Sequence, residues 1–226
     1  LGDWLMANSY PYGVNFKCGQ EAVLRMINAL AAYSIFDAYG LARPVDEKNV
    51  IELLTISYKK VLSNFFYAHK CIKNNHTLSE IVGLIIGAWC SGDSPRLERA
   101  YRLLDKEIAR QFFPDGGYIQ YSFNYQRFAL QLMELVLKIS DITGIAVSDQ
   151  SKELLKESAL LMYQTLDDTG DLPNYGPNDG ALIFPVTGCS YRDFRASINT
   201  MSVLLNGTRL FGPGIYDEEV LWFGNK

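Results

Sequence analysis

Apolar residues recur three and four positions apart along most of the chain, and sustained strand-like alternation is nearly absent. After a short opening segment (residues 3–8), the spacing predicts a long helix over residues 19–39, with Val23, Met26, Leu30 and Tyr33 on one face. A second helix, residues 46–69, is stopped by the polar run Lys73, Asn74, Asn75. A third, residues 77–89, carries Leu78, Val82, Ile85 and Trp89. The turn SGDSP places Ser94 as an N-cap and Pro95 at the first position of a fourth helix ending near residue 113, where PDGG breaks it. A fifth helix starts at the cap Ser122, with Tyr125, Phe128, Leu132, Leu135, Ile139 and Ile142 on one stripe. A sixth spans residues 149–166. Glycine and proline then punctuate residues 167–190, a long loop of the kind that usually serves function. A seventh helix, residues 191–205, and a short segment at 217–222 complete the pattern.

Long helices joined mostly by short turns predict an all-α fold of antiparallel helix pairs, either a bundle or part of an α/α ring; periodicity does not choose between them. No fixed-length repeat points to a helical solenoid. The 226 residues, 48% hydrophobic and 20% charged, can bury a sizeable core and exclude a disordered chain. A net charge of −4 argues against a nucleic-acid binder, and the longest greasy run, residues 81–90, is about half a membrane span. Cys18, Cys71, Cys90 and Cys189 form no CxxC pair, so neither a zinc finger nor a redox motif is expected, and the redox compartment stays open. The chain starts without Met and ends on LWFGNK without a turn signal, which reads as a fragment or processed piece.

Three stretches place polar groups at helix entries, where backbone N–H groups and the helix dipole favour anions. In NNHTLSE (74–80), Thr77 and Glu80 fit a capping box, leaving Asn75 and His76 just outside the helix as plain helix-start residues or as donors for an acidic ligand. His69, the other histidine, reads as a structural or surface residue. In PDGGYIQYSFNYQR (114–127), Tyr125 falls in the first turn after Ser122; it either begins the apolar stripe or is a catalytic phenol, with Arg127 as a nearby cation or a solvated side chain. The third stretch, residues 172–195, offers Asn174, Tyr175, Asn178 and Asp179 on a stiffened loop followed by Arg192 and Arg195; it reads equally as a surface connection. Nucleophile-elbow, P-loop, dinucleotide and HExxH motifs are missing from the sequence. Glu80 and Asp115 are the carboxylates a hydrolase would need to bring face to face.

In order, GVNFKCGQEAVLRMINAL (13–30), NNHTLSEIVGL (74–84), PDGGYIQYSFNYQRFAL (114–130) and PNYGPNDGALIFP through YRDFR (173–195) resemble the helical toroid domain of the heparinase II/III-like polysaccharide lyases. The resemblance covers residues 13 to about 222. It implies one incomplete α/α toroid over residues 1–226, followed in relatives by a C-terminal β-sandwich domain that this chain lacks. It further implies cleavage of a uronic-acid-containing polysaccharide by β-elimination, with Asn75 and His76 neutralising the uronate carboxylate and Tyr125 transferring protons. Glu80, Arg127, Tyr175, Asn178 and Arg192 are the implied substrate-binding residues, and Tyr118, Tyr121 and Phe123 could join Tyr175 along a glycan cleft. Gln126 stands where relatives often have His. Relatives draw a further histidine, and in some cases a metal site, from the sheet domain, so no cofactor or metal is expected in this chain and little turnover by it alone. The implied partner is an acidic polysaccharide, with neither nucleic acid nor a membrane span, and the implied compartment periplasmic or extracellular. A hydrolase on a similar scaffold and a glycan-binding module without turnover are the alternatives.

Overall fold

The computed structural model describes residues 1–224, and among these the regular structure is helical, with one isolated β-bridge between Phe112 and Tyr118. The helices are α1 (Gly2–Ala7), α2 (Gly19–Ala38), α3 (Pro44–Tyr67), α4 (Asn75–Cys90), α5 (Ser94–Gln111), α6 (Phe123–Thr143), α7 (Asp149–Thr165), α8 (Arg195–Asn206) and α9 (Asp217–Phe223). A 3-10 turn, Val14–Phe16, precedes α2, and a π turn, Ala68–Ile72, follows α3. The all-α expectation therefore holds. Two compact units divide the chain, Leu1–Ala100 and Tyr101 onward, with the boundary inside α5.

In the first unit α2, α3 and α4 pack mutually. Residues 77–83 of α4 are all buried, as expected of a helix that is central rather than half-solvated. Two glycines let neighbours approach closely. A Cβ on Gly83 would lie 2.4 Å from Val23 Cγ2, and one on Gly87 would lie 2.2 Å from the Tyr58 ring. Of the predicted third-helix stripe, Leu78, Val82 and Ile85 are buried while Trp89 is partly exposed.

The start of α4 corrects the expected capping box. Lys73 takes a left-handed conformation (φ 60°) and reverses the chain, and Asn74 becomes the N-cap, its side chain accepting the His76 N–H at 3.0 Å. Asn75 and His76 thus lie inside the first turn instead of outside the helix. Thr77 donates its hydroxyl to the Ala68 carbonyl at 2.8 Å, and Glu80 turns into the interior. A similar one-residue shift occurs at α5, where Asp93 accepts the Arg96 N–H at 3.1 Å and Ser94 is already helical.

The second unit is built around α6, which contacts α7, α8 and α9. Ser122 caps α6 as expected, accepting the Tyr125 N–H at 3.3 Å. Buried α6 residues surround the axis and include Gln126, Arg127, Gln131 and Glu134. The apolar stripe is therefore only part of the buried surface: Phe128, Leu132 and Ile139 are inside, whereas Ile142 is exposed. α8 begins four residues later than the periodicity suggests, because Asp193 holds the Arg195 N–H at 3.1 Å and its guanidinium at 2.7 Å, which fixes the helix start. None of the described helices is long and apolar enough to cross a membrane. All four cysteines are free thiols.

Candidate active site

In the first unit, Asn75 and His76 project from the opening turn of α4. Asn75 is almost enclosed and donates through Nδ2 to Gln20 Oε1 at 2.8 Å, an oxygen that also receives the Ser79 hydroxyl at 2.9 Å. Gln20 lies in the first turn of α2, so the starts of α2 and α4 are locked together by side-chain amides. His76 Nδ1 stands 3.6 Å from the Sγ of Cys18, the N-cap residue of α2. Burial holds the imidazole below its ordinary value, against the opposing pull of Glu21, so the neutral ring is favoured near pH 7. His69 is stacked on Phe65 with ring centroids 5.4 Å apart, a packing role.

Glu80 is enclosed, with 1% of its surface exposed, and accepts from Asn64 Nδ2 at 2.5 Å. Gly19 lies flush against it: a Cβ there would fall 2.1 Å from Oε1. This carboxyl bonds α3 to α4 and offers no open face for a ligand. The hydrolase alternative, which needs Glu80 as an accessible carboxylate, finds no support in that position.

In the second unit the 167–194 loop is fastened to the start of α6. The Tyr125 hydroxyl donates to Asp179 Oδ2 at 2.8 Å. The capping Ser122 hydroxyl donates to the Pro177 carbonyl at 2.6 Å, and Tyr191 OH bonds the side-chain oxygens of Asn124 and, at 2.6 Å, Asn178. Gly176, at φ 70°, lets the loop pass so close that a Cβ would meet the Tyr121 carbonyl oxygen at 2.1 Å, a conformation and a space that only glycine fits. Tyr125 is partly exposed and does not simply begin a core stripe. Its phenol is pushed up to about 12, by desolvation first, then by the hydrogen bond and charge of Asp179 and by Tyr191.

Arg127 is neither solvated nor placed as a cation for the Tyr125 phenol. It is buried, donates to the Tyr191 carbonyl at 2.6 Å, and lies over the rings of Tyr191 and Phe194 at 4.6 and 4.3 Å. Gln126 bonds the Gly116 carbonyl at 3.0 Å and the Ser158 hydroxyl at 2.8 Å. It ties α6 to the PDGG turn and to α7. Asn178 donates to Asn174 at 2.7 Å, and Arg192 pairs with Asp171 at 2.5 Å and bonds the Leu172 carbonyl. Tyr175 is 45% exposed and meets Phe123 edge-on at 5.1 Å. Tyr121 is open to solvent, but Tyr118 and Phe123 are buried, with the Tyr118 hydroxyl donated to Gln111 at 2.8 Å; they belong to the core and not to a glycan surface.

Cys18 and Gln20 beside the Asn75–His76 pair, and Tyr191 beside Asn178, were not singled out from sequence. Asp179 was, but only as one polar loop residue among several; its pairing with Tyr125, 54 positions away, has no local signal. Among the described residues, no group of three or more His, Cys, Asp or Glu side chains could hold a metal ion.

Among curated proteins and among solved structures, none matches the chain. The pattern that describes the alginate lyase family matches residues 12–167, which takes in the α2 start, the NNH turn of α4 and the Ser122–Arg127 start of α6. That match spans more than half of the sequence and supports a polysaccharide lyase, but not the heparinase II/III-like assignment in particular. The chain belongs to the alginate lyase family.

Proposed function

We propose that this chain, in place of the low turnover that the heparinase II/III-like resemblance implied, itself cleaves a uronic-acid-containing polysaccharide, of the alginate type, by β-elimination. The observation that carries the reading is the family match over a stretch containing both the Asn75–His76 pair and Tyr125. β-Elimination removes the proton at C5 of a uronate, so the carboxylate next to that carbon must be neutralised as negative charge develops. Asn75, its amide plane fixed by Gln20, is the proposed donor to that carboxylate.

Protonation states divide the remaining work. The neutral His76 ring offers a lone pair for the C5 proton. Tyr125 enters as a neutral phenol and gives its proton to O4 as the C4–O4 bond breaks. The electron pair of the C5–H bond becomes the C4–C5 double bond, and the C4–O4 pair leaves on oxygen. Imidazolium and phenolate return to their starting states through water. Tyr175, Asn178 and Arg192 are the proposed contacts to neighbouring sugars. Arg127 and Glu80, both enclosed, hold the α6 and α4 starts in place.

The test is to incubate the protein with a panel of acidic polysaccharides and follow the ultraviolet absorbance of the new unsaturated uronate. Tyr125→Phe keeps the ring and removes the proton donor, so turnover should fall about 10²- to 10⁴-fold with substrate affinity little changed. Asn75→Ala should weaken affinity as well as rate. Near-normal turnover by Tyr125→Phe on a confirmed substrate would refute the assignment, and binding without turnover by the parent protein would establish the glycan-binding alternative instead.

A further inference from the structure

The geometry assigns Asp179 as the positioning residue for Tyr125: its carboxylate anchors the phenol hydroxyl and keeps Tyr125 protonated between turnovers. The inference rests on the lyase reading for its consequence in catalysis, but the pairing stands on its own geometry.

The carboxylate is held at both ends. Asp179 Oδ1 accepts the Ala181 N–H at 3.2 Å, which turns Oδ2 toward the Tyr125 hydroxyl at 2.8 Å. The loop on either side is fastened independently: Pro177 through Ser122, Asn178 through Tyr191 and Asn174, and Gly180 through its N–H to Asn178 Oδ1 at 3.1 Å. Tyr125 is itself in the first turn of α6, where its N–H is taken by Ser122. Ring and carboxylate therefore belong to one seam, in which Asp179 sets a negative charge beside the phenol.

That charge has a chemical consequence. A carboxylate can accept from a phenol but repels a phenolate, so it resists loss of the phenolic proton. The helix N-terminus pulls the opposite way, favouring an anion. Among the described residues, the ionisable groups bearing on Tyr125 are Asp179 and Tyr191, with no cation offsetting them; Arg127, two positions along, is committed to Tyr191 and Phe194. When a sugar oxygen binds, the hydroxyl rotor swings its proton from Asp179 to O4. The phenolate then left beside Asp179 is a strong enough base to recover a proton from water, which restores the donor.

The test reads the phenol directly. Tyrosine is labelled at ring carbon ζ, the Tyr125 resonance is identified by its loss in Tyr125→Phe, and its titration is followed in the parent protein, Asp179→Asn and Asp179→Glu. Asp179→Asn keeps an acceptor oxygen and removes the charge, so the Tyr125 midpoint should fall by about one unit or more, while Asp179→Glu should stay near the parent. An unchanged midpoint in Asp179→Asn, with the other tyrosine resonances in their native positions, would overturn the role. In the activity arm, the alkaline limb of kcat/KM on a uronate polymer should move down with the Tyr125 midpoint in Asp179→Asn while the acid limb stays. A shifted midpoint in a protein that cleaves no uronate polymer would uphold the pairing and refute the lyase reading. Turnover with an unmoved alkaline limb and an unmoved midpoint would do the reverse.

Discussion

Replacing Glu80 by Gln should make the protein gain stability relative to the parent as pH rises. The carboxyl is 1% exposed, accepts only from Asn64 at Oε1, and has no hydrogen-bond partner at Oε2. Burial pushes it from 4.5 up to about 7, although the Asn64 hydrogen bond and the charge of Lys60 pull it down. A carboxyl raised in the folded state binds its proton more tightly there than in the unfolded chain. Its contribution is fully present below the unfolded value and is lost as pH rises through the folded one. At ~1.4 kcal/mol per pKa unit, the loss amounts to about 2 kcal/mol by about pH 6 and about 3 kcal/mol by about pH 7, then levels off. Gln keeps the acceptor for Asn64 and has nothing to ionise. Its amide nitrogen, set where Oε2 lies, adds a cost that does not change with pH. Urea unfolding of both proteins from about pH 4 to about pH 8.5 should give a stability difference that shifts toward the variant by about 3 kcal/mol, nearly all of it below about pH 8. Parallel curves would show that Glu80 titrates normally and is solvated, contrary to its position against Gly19.

Gly83→Ala should destabilise by about 1–3 kcal/mol in denaturant melts despite alanine's better helix propensity, because the new Cβ meets Val23 and Val61, both buried and β-branched; Gly87→Ala should cost less, since the Tyr58 ring it meets is half-exposed and can swing. Glu134 and Glu219 are both buried and burial raises both carboxyls, the charge of Glu219 adding to the rise at Glu134, whose own oxygens have no hydrogen-bond partner. Glu134→Gln removes a carboxyl that burial holds protonated, so its thermal midpoint should fall less than the parent's between about pH 5 and about pH 9, and an equal fall would show that Glu134 is not raised.

What the sequence made legible follows the range of the forces involved. The Ser122 cap and the placement of Tyr125 in the next turn depend on neighbours three residues apart, and both appear in the structure. The α4 start depended on a choice among good caps, and Asn74 won because Lys73 could turn left-handed and because Glu80 was drawn into the core by Asn64. The α8 start was hidden because its apolar spacing continues back into residues that Asp193 and Arg195 hold in a turn. Pairings across the 167–194 loop are not legible at all. Nothing near Tyr125 distinguishes Asp179 from Asn174 or Asp171 as its partner, and nothing near Gln126 announces Ser158. These contacts exist only once the loop has folded back on α6.

The same distribution of partners bears on how an acidic protein could handle a polyanion. A domain of net charge −4 has no general field to draw in uronates, and the arginines nearest the candidate residues of the second unit are already spent. Arg192 is paired with Asp171, Arg195 with Asp193, and Arg127 is stacked between aromatic rings. Recognition by long-range attraction would leave these cations free. Neutral donors at short range do not need them. His76 is kept uncharged by burial and Tyr125 by burial and Asp179, so near pH 7 one presents a lone pair and the other a proton. Environments that push two titratable groups in opposite directions separate base from acid without adding net charge. In the proposed β-elimination the difficulty is the negative charge that develops next to a carboxylate during the reaction rather than the charge already on the polymer.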